Sequence, residues 1–281
     1  DGYDYATGTW GPSLSSSTEG RTWTEWADGS ALYSNLEALS YGQAMFLAVG
    51  DSGRIYTSAD AVSWNHRVSG TSESLYAAAS SPTIHVAAGT NGCLITSGDG
   101  QTWTARTSGV AVALNGACYG NNQFVVVGDG GTVLTSTDGL SWIPQTSGTT
   151  EVLRAVTWAS GIGYVAVGGN GTVLTSVDGK AWAVRPTGIY ETLCAVVATP
   201  RGIVVLGNSN GRLLLSSDGV TWIKGELPTA QYMRGITVGP RGLVAVGDFG
   251  LVLAEVADFS RLVADFNGDG SADLVWQNRA S

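Results

Sequence analysis

Short apolar runs broken by Gly, Asp and Asn follow one another along the whole chain. The clearest stretch lies between residues 153 and 186. LRAVTW (153–158) reads as a strand, and YVAVG (164–168) as a second after the turn ASGIG. GNG (169–171) is a tight turn into a third strand, TVLTS (172–176), and VDGK turns into a fourth, AWAVRP (181–186). β-branched residues in short alternating runs favour a pleated, extended backbone, and each junction holds residues suited to turns. Four antiparallel strands in about 40 residues are the sequence signature of one β-propeller blade.

The order repeats. Second and third strands recur as FLAVGDSGRIYTS (46–58), HVAAGTNGCLITS (85–97), FVVVGDGGTVLTS (124–136), IVVLGNSNGRLLLS (203–216) and LVAVGDFGLVLAE (243–255). A heptapeptide of the form SxDGxxW closes four units, as SGDGQTW, STDGLSW, SVDGKAW and SSDGVTW, and with one substitution two more, as STEGRTW and SADAVSW, with the Trp residues 39 to 41 apart. Innermost strands recur as LEALS (36–40), LYAAA (75–79), LNGAC (114–118), LRAVT (153–157), LCAVV (193–197) and MRGIT (233–237). Their third residue is always Ala or Gly, as suits strands that crowd toward a ring axis.

The two ends of the chain predict how the ring closes. YATGTWGPSLSSS (5–17) reads as worn second and third strands, so the first blade lacks an inner strand. VADFSRL (256–262) stands where a seventh motif falls due, with Asp258 in the Asp position. RLVADF (261–266) then reads as a fourth strand and DLVWQN (273–278) as the missing inner strand of the first blade. The prediction is one all-β domain over 1–281: a seven-bladed β-propeller of four-stranded antiparallel blades, closed three-plus-one by N- and C-terminal strands sharing a blade. Such closure leaves no exposed sheet edge.

Composition supports a full core, with 43% hydrophobic residues, 13% charged, 40 Gly and 7 Pro among 281. No apolar run reaches the 18 or so residues of a membrane-spanning helix. The net charge of −9 argues against nucleic acid and anionic lipid, which call for clustered Lys and Arg. Cys93, Cys118 and Cys194 have no near partner in sequence and read as buried free thiols. Asp1 in place of Met fits a trimmed N-terminus.

SxDGxxW resembles the Asp-box, or BNR repeat, of sialidases, some other glycoside hydrolases, and propellers similar to the photosystem II stability/assembly factor. The full unit, VAVGxxGxVLTSxDGxxW, most resembles the last group. By that resemblance Asp60, Asp99, Asp138, Asp178 and Asp218 hold turns, with Glu19 a longer substitute. The resemblance further implies a non-catalytic scaffold or assembly role outside the cytoplasm, in periplasm, lumen or the cell exterior. A carbohydrate-binding propeller is the alternative, and a sialidase-like hydrolase a third. Sialidase chemistry needs three Arg, a Tyr–Glu pair and an acid. Arg154, Arg234 and the adjacent Tyr190 and Glu191 are the nearest approach, but neighbours in a strand point to opposite faces. His66 and His85 lack triad or metal partners in sequence, so no enzyme is expected.

Two candidate sites remain. Asp265, Asn267, Asp269, Ser271 and Asp273 give D-x-N-x-D-G-x-x-D, in which alternate oxygens around a Gly bend converge on a hard cation. Trp276 stands where an EF-hand needs Glu, and the spacing resembles the calcium loops of FG-GAP repeats. The bland reading is a polar turn without metal. The second site is the mouth of the channel. The residue after each strand-starting Leu or Met varies most (Glu37, Tyr76, Asn115, Arg154, Cys194, Arg234), and Glu73, Glu151, Tyr190, Glu191, Tyr232 and Trp26 lie close by. Mixed polar and aromatic residues on loops make a recognition surface for a protein partner, or for a glycan. The alternative is a solvated rim.

Overall fold

The repeated strands pair in chain order, each sheet antiparallel throughout. The computed structural model describes residues 2–4, 9–11, 14–16, 24–26, 35–227, 229–239, 242–248 and 251–254. Leu114–Gly120, Gln123–Gly128, Val133–Ser136 and Ile143–Gln145 form one four-stranded sheet, called here the Trp142 blade after its motif tryptophan. The Trp64, Trp103, Trp182 and Trp222 blades are built alike, from inner strands Leu36–Gly42, Leu75–Ser80, Leu153–Ala159 and Leu193–Thr199. A sixth sheet, the Met233 blade, has three described strands: Met233–Gly239, Gly242–Gly247 and Val252–Ala254. Successive inner strands lie side by side from the Trp64 blade to the Met233 blade, which sets the sheets around an axis as a β-propeller.

Six blades, not seven, are formed among the described residues. The N-terminal reading also changes. Instead of a second and third strand over 5–17, Gly2–Asp4 pairs with Thr9–Gly11, and Leu14–Ser16 pairs with Thr24–Trp26. Pro12, which has no N–H for a ladder, separates the two pairs. The proposed strands at 261–266 and 273–278 and the Asp265–Asp273 segment lie outside the described residues. Among the described residues no helix is long and apolar enough to cross a membrane.

The core lies between neighbouring blades. Val125, Val127 and Val133 of the Trp142 blade meet Leu153, Tyr164, Ala166 and Leu174 of the Trp182 blade in one buried cluster. A second strand is therefore covered on both faces. That is why FVVVG and YVAVG are apolar without alternation, whereas a strand wet on one face would alternate. Trp158 belongs to this core: its ring lies tilted against Tyr164, centroids 4.6 Å apart, and a Cβ at Gly120 of the preceding blade would come 2.2 Å from it. Tyr164 also donates its hydroxyl to the Gly120 carbonyl at 2.5 Å, tying the two blades together.

The SxDGxxW turns are alike in five blades. Asp99 Oδ1 accepts the amides of Gln101 and Thr102, both at 2.8 Å, and the Ser97 hydroxyl at 3.0 Å, while Ser97 Oγ accepts the Gly100 amide. Asp60, Asp138, Asp178 and Asp218 do the same. A carboxylate gathering two amides and a hydroxyl is stabilised in its charged form. The backbone amides, followed by the hydroxyl, hold Asp60 and Asp99 down to about 2.

The Trp103 blade places a histidine where other blades have Phe, Tyr or an aliphatic residue. Phe46, Phe124 and Tyr164 begin second strands; His85 takes that place in the Trp103 blade and is fully buried. Its Nδ1 meets Ser80 Oγ at 2.8 Å, and Ser80 meets Ser40 of the neighbouring blade at 2.8 Å. Burial pushes the imidazole pKa down, against the pull of the Asp99 charge.

Candidate functional site

Each inner strand begins with a β-bulge at the same place. In the Trp142 blade Leu114 faces Gly128 and Gly116 faces Val127, so Asn115 is the extra residue. The same shift sets apart Glu37, Tyr76, Arg154, Cys194 and Arg234. The cause is a close approach. The second strand ends in Gly, and a Cβ at Gly168 would stand 1.9 Å from the Val152 carbonyl. That carbonyl instead accepts the Gly169 amide at 2.8 Å. The incoming chain crosses over the glycine, and the inner strand takes up the offset in one residue. Bulges re-aim side chains, and here one backbone device presents six different residues around the channel mouth.

Their surroundings differ. Asn115 is fastened, donating to Asp129 Oδ1 at 2.8 Å and to the Leu153 carbonyl of the next blade at 3.0 Å. Cys194 reaches the Leu206 and Met233 carbonyls, at 3.4 and 3.5 Å. Burial pushes its thiol up to about 11 against the Arg234 and Arg154 charges, so it is no thiolate at neutral pH. Burial likewise raises Cys93 and Cys118. Arg234 grips Asp248 with two nitrogens, at 2.6 and 3.3 Å, yet stays 70% exposed. Glu37 is exposed; partial burial and then the Asp51 charge raise its carboxyl pKa, and Arg234 opposes them. Tyr76 is half-buried. Arg154 is exposed, and its side chain makes no hydrogen bond or ion pair among the described residues. Three other blades carry Asp51, Asp129 or Asp248 at the first turn position after the second strand, where the blade of Arg154 has Gly169.

The connectors into the inner strands share this face. Tyr190 is 84% exposed and Tyr232 is 58% exposed. Glu191 differs from its neighbour Tyr190: it accepts the Ser209 hydroxyl at 2.5 Å and Arg212 Nε at 3.0 Å, fastening its connector to the next turn. Glu73 does the same with Thr90 Oγ1 and Asn91 Nδ2. Tyr190 and Glu191 thus face different surroundings.

Sequence reasoning missed an open groove of about 680 Å³ on the same face of the Trp142 blade. Residues 130–133, residues 144–151 and Val110 line it. Its one sequence trace is the run TSGTT (146–150), whose small side chains leave the space empty. No three His, Cys, Asp or Glu among the described residues are grouped to hold a metal.

No protein-family profile matches the sequence, and no curated protein sequence matches it. Solved structures do. The fold is similar to YCF48 from Cyanidioschyzon merolae at TM-score 0.59 and 15% identity, over 83% of this chain and 84% of that one. It is also similar to a structure of YCF48 bound to D1 peptide, at TM-score 0.55 and 18% identity, over 73% of this chain and 66% of that one, just under two thirds of its length. The RRP9 WD40 repeats match at TM-score 0.63 and 12% identity, over 80% of this chain and 77% of that one. At these identities the likeness establishes a β-propeller.

Proposed function

We propose that this chain is a non-catalytic scaffold propeller that binds a protein partner through the face carrying the bulges and connectors. One observation carries the reading: six equivalent bulges present Glu37, Tyr76, Asn115, Arg154, Cys194 and Arg234, while the strands beneath them repeat. Uniform repeats gain no stability from such variety, and three of the six, Glu37, Arg154 and Arg234, are exposed as a recognition surface requires. Exposed Tyr190 and Tyr232 beside Arg154 and Arg234 supply the residue types enriched where proteins meet. Further support comes from the fold-similar YCF48, which has been captured with a bound peptide.

The reading keeps the Asp-box resemblance, an assembly-type role and a place outside the cytoplasm. It also keeps a seventh blade. Leu39 and Tyr41 stand 59% and 61% exposed on the inner strand of the Trp64 blade, whereas the equivalent Trp158 is covered by the preceding blade. We assign that cover to the two ends of the chain, with 273–278 as its inner strand and calcium held by Asp265, Asn267, Asp269, Ser271 and Asp273.

The test is capture of a partner from the native source by the full chain, set against variants in which Arg154, Tyr190 and Tyr232 are each replaced by Ala. A specific partner retained by the wild type and lost by these folded variants is the expected result. Equal capture by all of them overturns the assignment of the face. Glycan-array binding carried by Tyr190 and Tyr232, with no protein captured, favours the carbohydrate reading instead.

A further inference from the structure

We propose that the groove of the Trp142 blade docks an extended polypeptide segment of the partner, and that Glu151 pairs there with a Lys or Arg side chain of that segment. This rests on the protein-binding reading and names its partner chemistry.

The argument begins from three carboxylates in equivalent places. Glu73, Glu151 and Glu191 each stand two residues before the Leu that opens an inner strand. Two of them are satisfied within the fold, Glu73 by Thr90 and Asn91, and Glu191 by Ser209 and Arg212. Glu151 meets the turn Gly169–Gly171, and Gly169 stands where the Trp103 blade has Thr90. A Cβ at Gly169 would lie 3.3 Å from Glu151 Oε2, so the carboxylate occupies the space of the absent side chain. It makes no hydrogen bond or ion pair among the described residues, and Arg154, three residues on, does not pair with it. A partly buried carboxylate without a partner retains its full capacity for a charge-assisted bond.

The groove that Glu151 lines decides what brings the cation. Its lining holds no Lys or Arg to meet a phosphate, and no aromatic ring on which a sugar would stack. Three of its polar side chains are engaged within the fold, while the hydroxyls of Thr146 and Thr150 stand exposed along it. Gln145 donates to Thr135 Oγ1 at 2.9 Å, Ser147 donates to the Thr149 carbonyl at 3.2 Å, and Thr149 Oγ1 accepts the Glu151 amide at 3.1 Å. What remains is a trough of backbone and small side chains ending at one negative charge. An extended main chain with a single basic side chain matches that; a glycan or nucleic acid does not.

An array of heptapeptides, with each position varied through Lys, Arg, Ala and Glu, reads the proposal directly. Wild-type chain, Glu151→Gln and the control Glu226→Gln are applied, each after its melting temperature is shown to match the wild type. Wild type favours Lys or Arg over Ala at one position by about tenfold, the worth of one charge-assisted bond. That ratio falls to about one in Glu151→Gln and persists in Glu226→Gln. No basic preference in the wild type, or the same preference in Glu151→Gln, overturns the proposal, as does glycan binding that Glu151→Gln abolishes. Failure here is distinguishable from failure of the face as a whole. Native-partner capture that survives Glu151→Gln but is lost in Tyr190→Ala leaves the face and removes the groove.

Discussion

The glycine of the SxDGxxW turn permits a test that separates backbone strain from packing. Gly139 has φ +71, and a Cβ on it would meet Ile84 Cγ2 of the preceding blade at 2.9 Å. Gly109, in a connector, has φ +78 with nothing within 4 Å of that position. An L side chain in the left-handed region costs about 1–2 kcal/mol, and replacing Gly by Ala returns about 0.4–1 kcal/mol by stiffening the unfolded chain. Gly109→Ala is therefore expected to lose only about 0.5–1 kcal/mol. Gly139→Ala adds overpacking of about 1–3 kcal/mol, for a total near 2–4 kcal/mol. Nature has run the reverse case in the Trp64 blade, where Ala61 occupies the same turn position at φ 58. Ala61→Gly should stabilise by about 0.5 kcal/mol, the relieved strain less the added chain entropy. Urea unfolding followed by circular dichroism gives the three values on one scale. Thermal scans should place Gly139→Ala roughly 4–16 °C below wild type, at about 2–4 °C per kcal/mol for domains of this order. Equal losses for Gly109→Ala and Gly139→Ala would show that contact with the preceding blade is not felt. A destabilised Ala61→Gly would refute the strain argument itself.

Acid should loosen the ring through its turn carboxylates. Amide and hydroxyl donors hold the folded pKa of Asp60, Asp99 and Asp218 at about 2, with Asp138 and Asp178 also lowered, against roughly 3.9 in an unfolded chain. The unfolded state therefore binds protons first. Their contribution is complete above about pH 4 and is lost as pH falls toward about 2. The urea midpoint should drop across that window, and drop less when Asp99, Asp138, Asp178 and Asp218 are all Asn; parallel curves for the two proteins would contradict this. If calcium fills the Asp265–Asp273 segment, EDTA lowers the melting temperature and added calcium restores it, because a ligand of the folded state alone stabilises that state. An unchanged melting temperature, with no calcium found in the protein, removes the ion from the account.

Much of the fold was legible because each blade repeats the same physical demands. The apolar run YVAVG, the Gly that follows and the Asp of the turn are each required locally, so they recur at every unit. The N-terminus misled because Gly2–Asp4 pairs with Thr9–Gly11 and Leu14–Ser16 with Thr24–Trp26, pairings that differ from those of the repeat. At the site, the variability of Glu37, Tyr76, Asn115, Arg154 and Arg234 could be read directly, but not the bulge that aims them. That bulge comes from a backbone crossing over Gly168 and its equivalents. Glu191 appeared free because its partners, Ser209 and Arg212, lie 18 and 21 residues away in sequence. The groove left almost no trace, since it is made by what side chains lack.

Gly139 against Ile84, Tyr164 reaching back to Gly120 and Asn115 reaching forward to Leu153 each join a blade to its neighbour in chain order. A nascent polypeptide can therefore be assembled in the order it leaves the ribosome, every finished sheet serving as the template on which the next condenses. Growth of this kind leaves open only the newest flank and that of the Trp64 blade, where Leu39 and Tyr41 stand exposed, and confines the aggregation hazard during synthesis to those two.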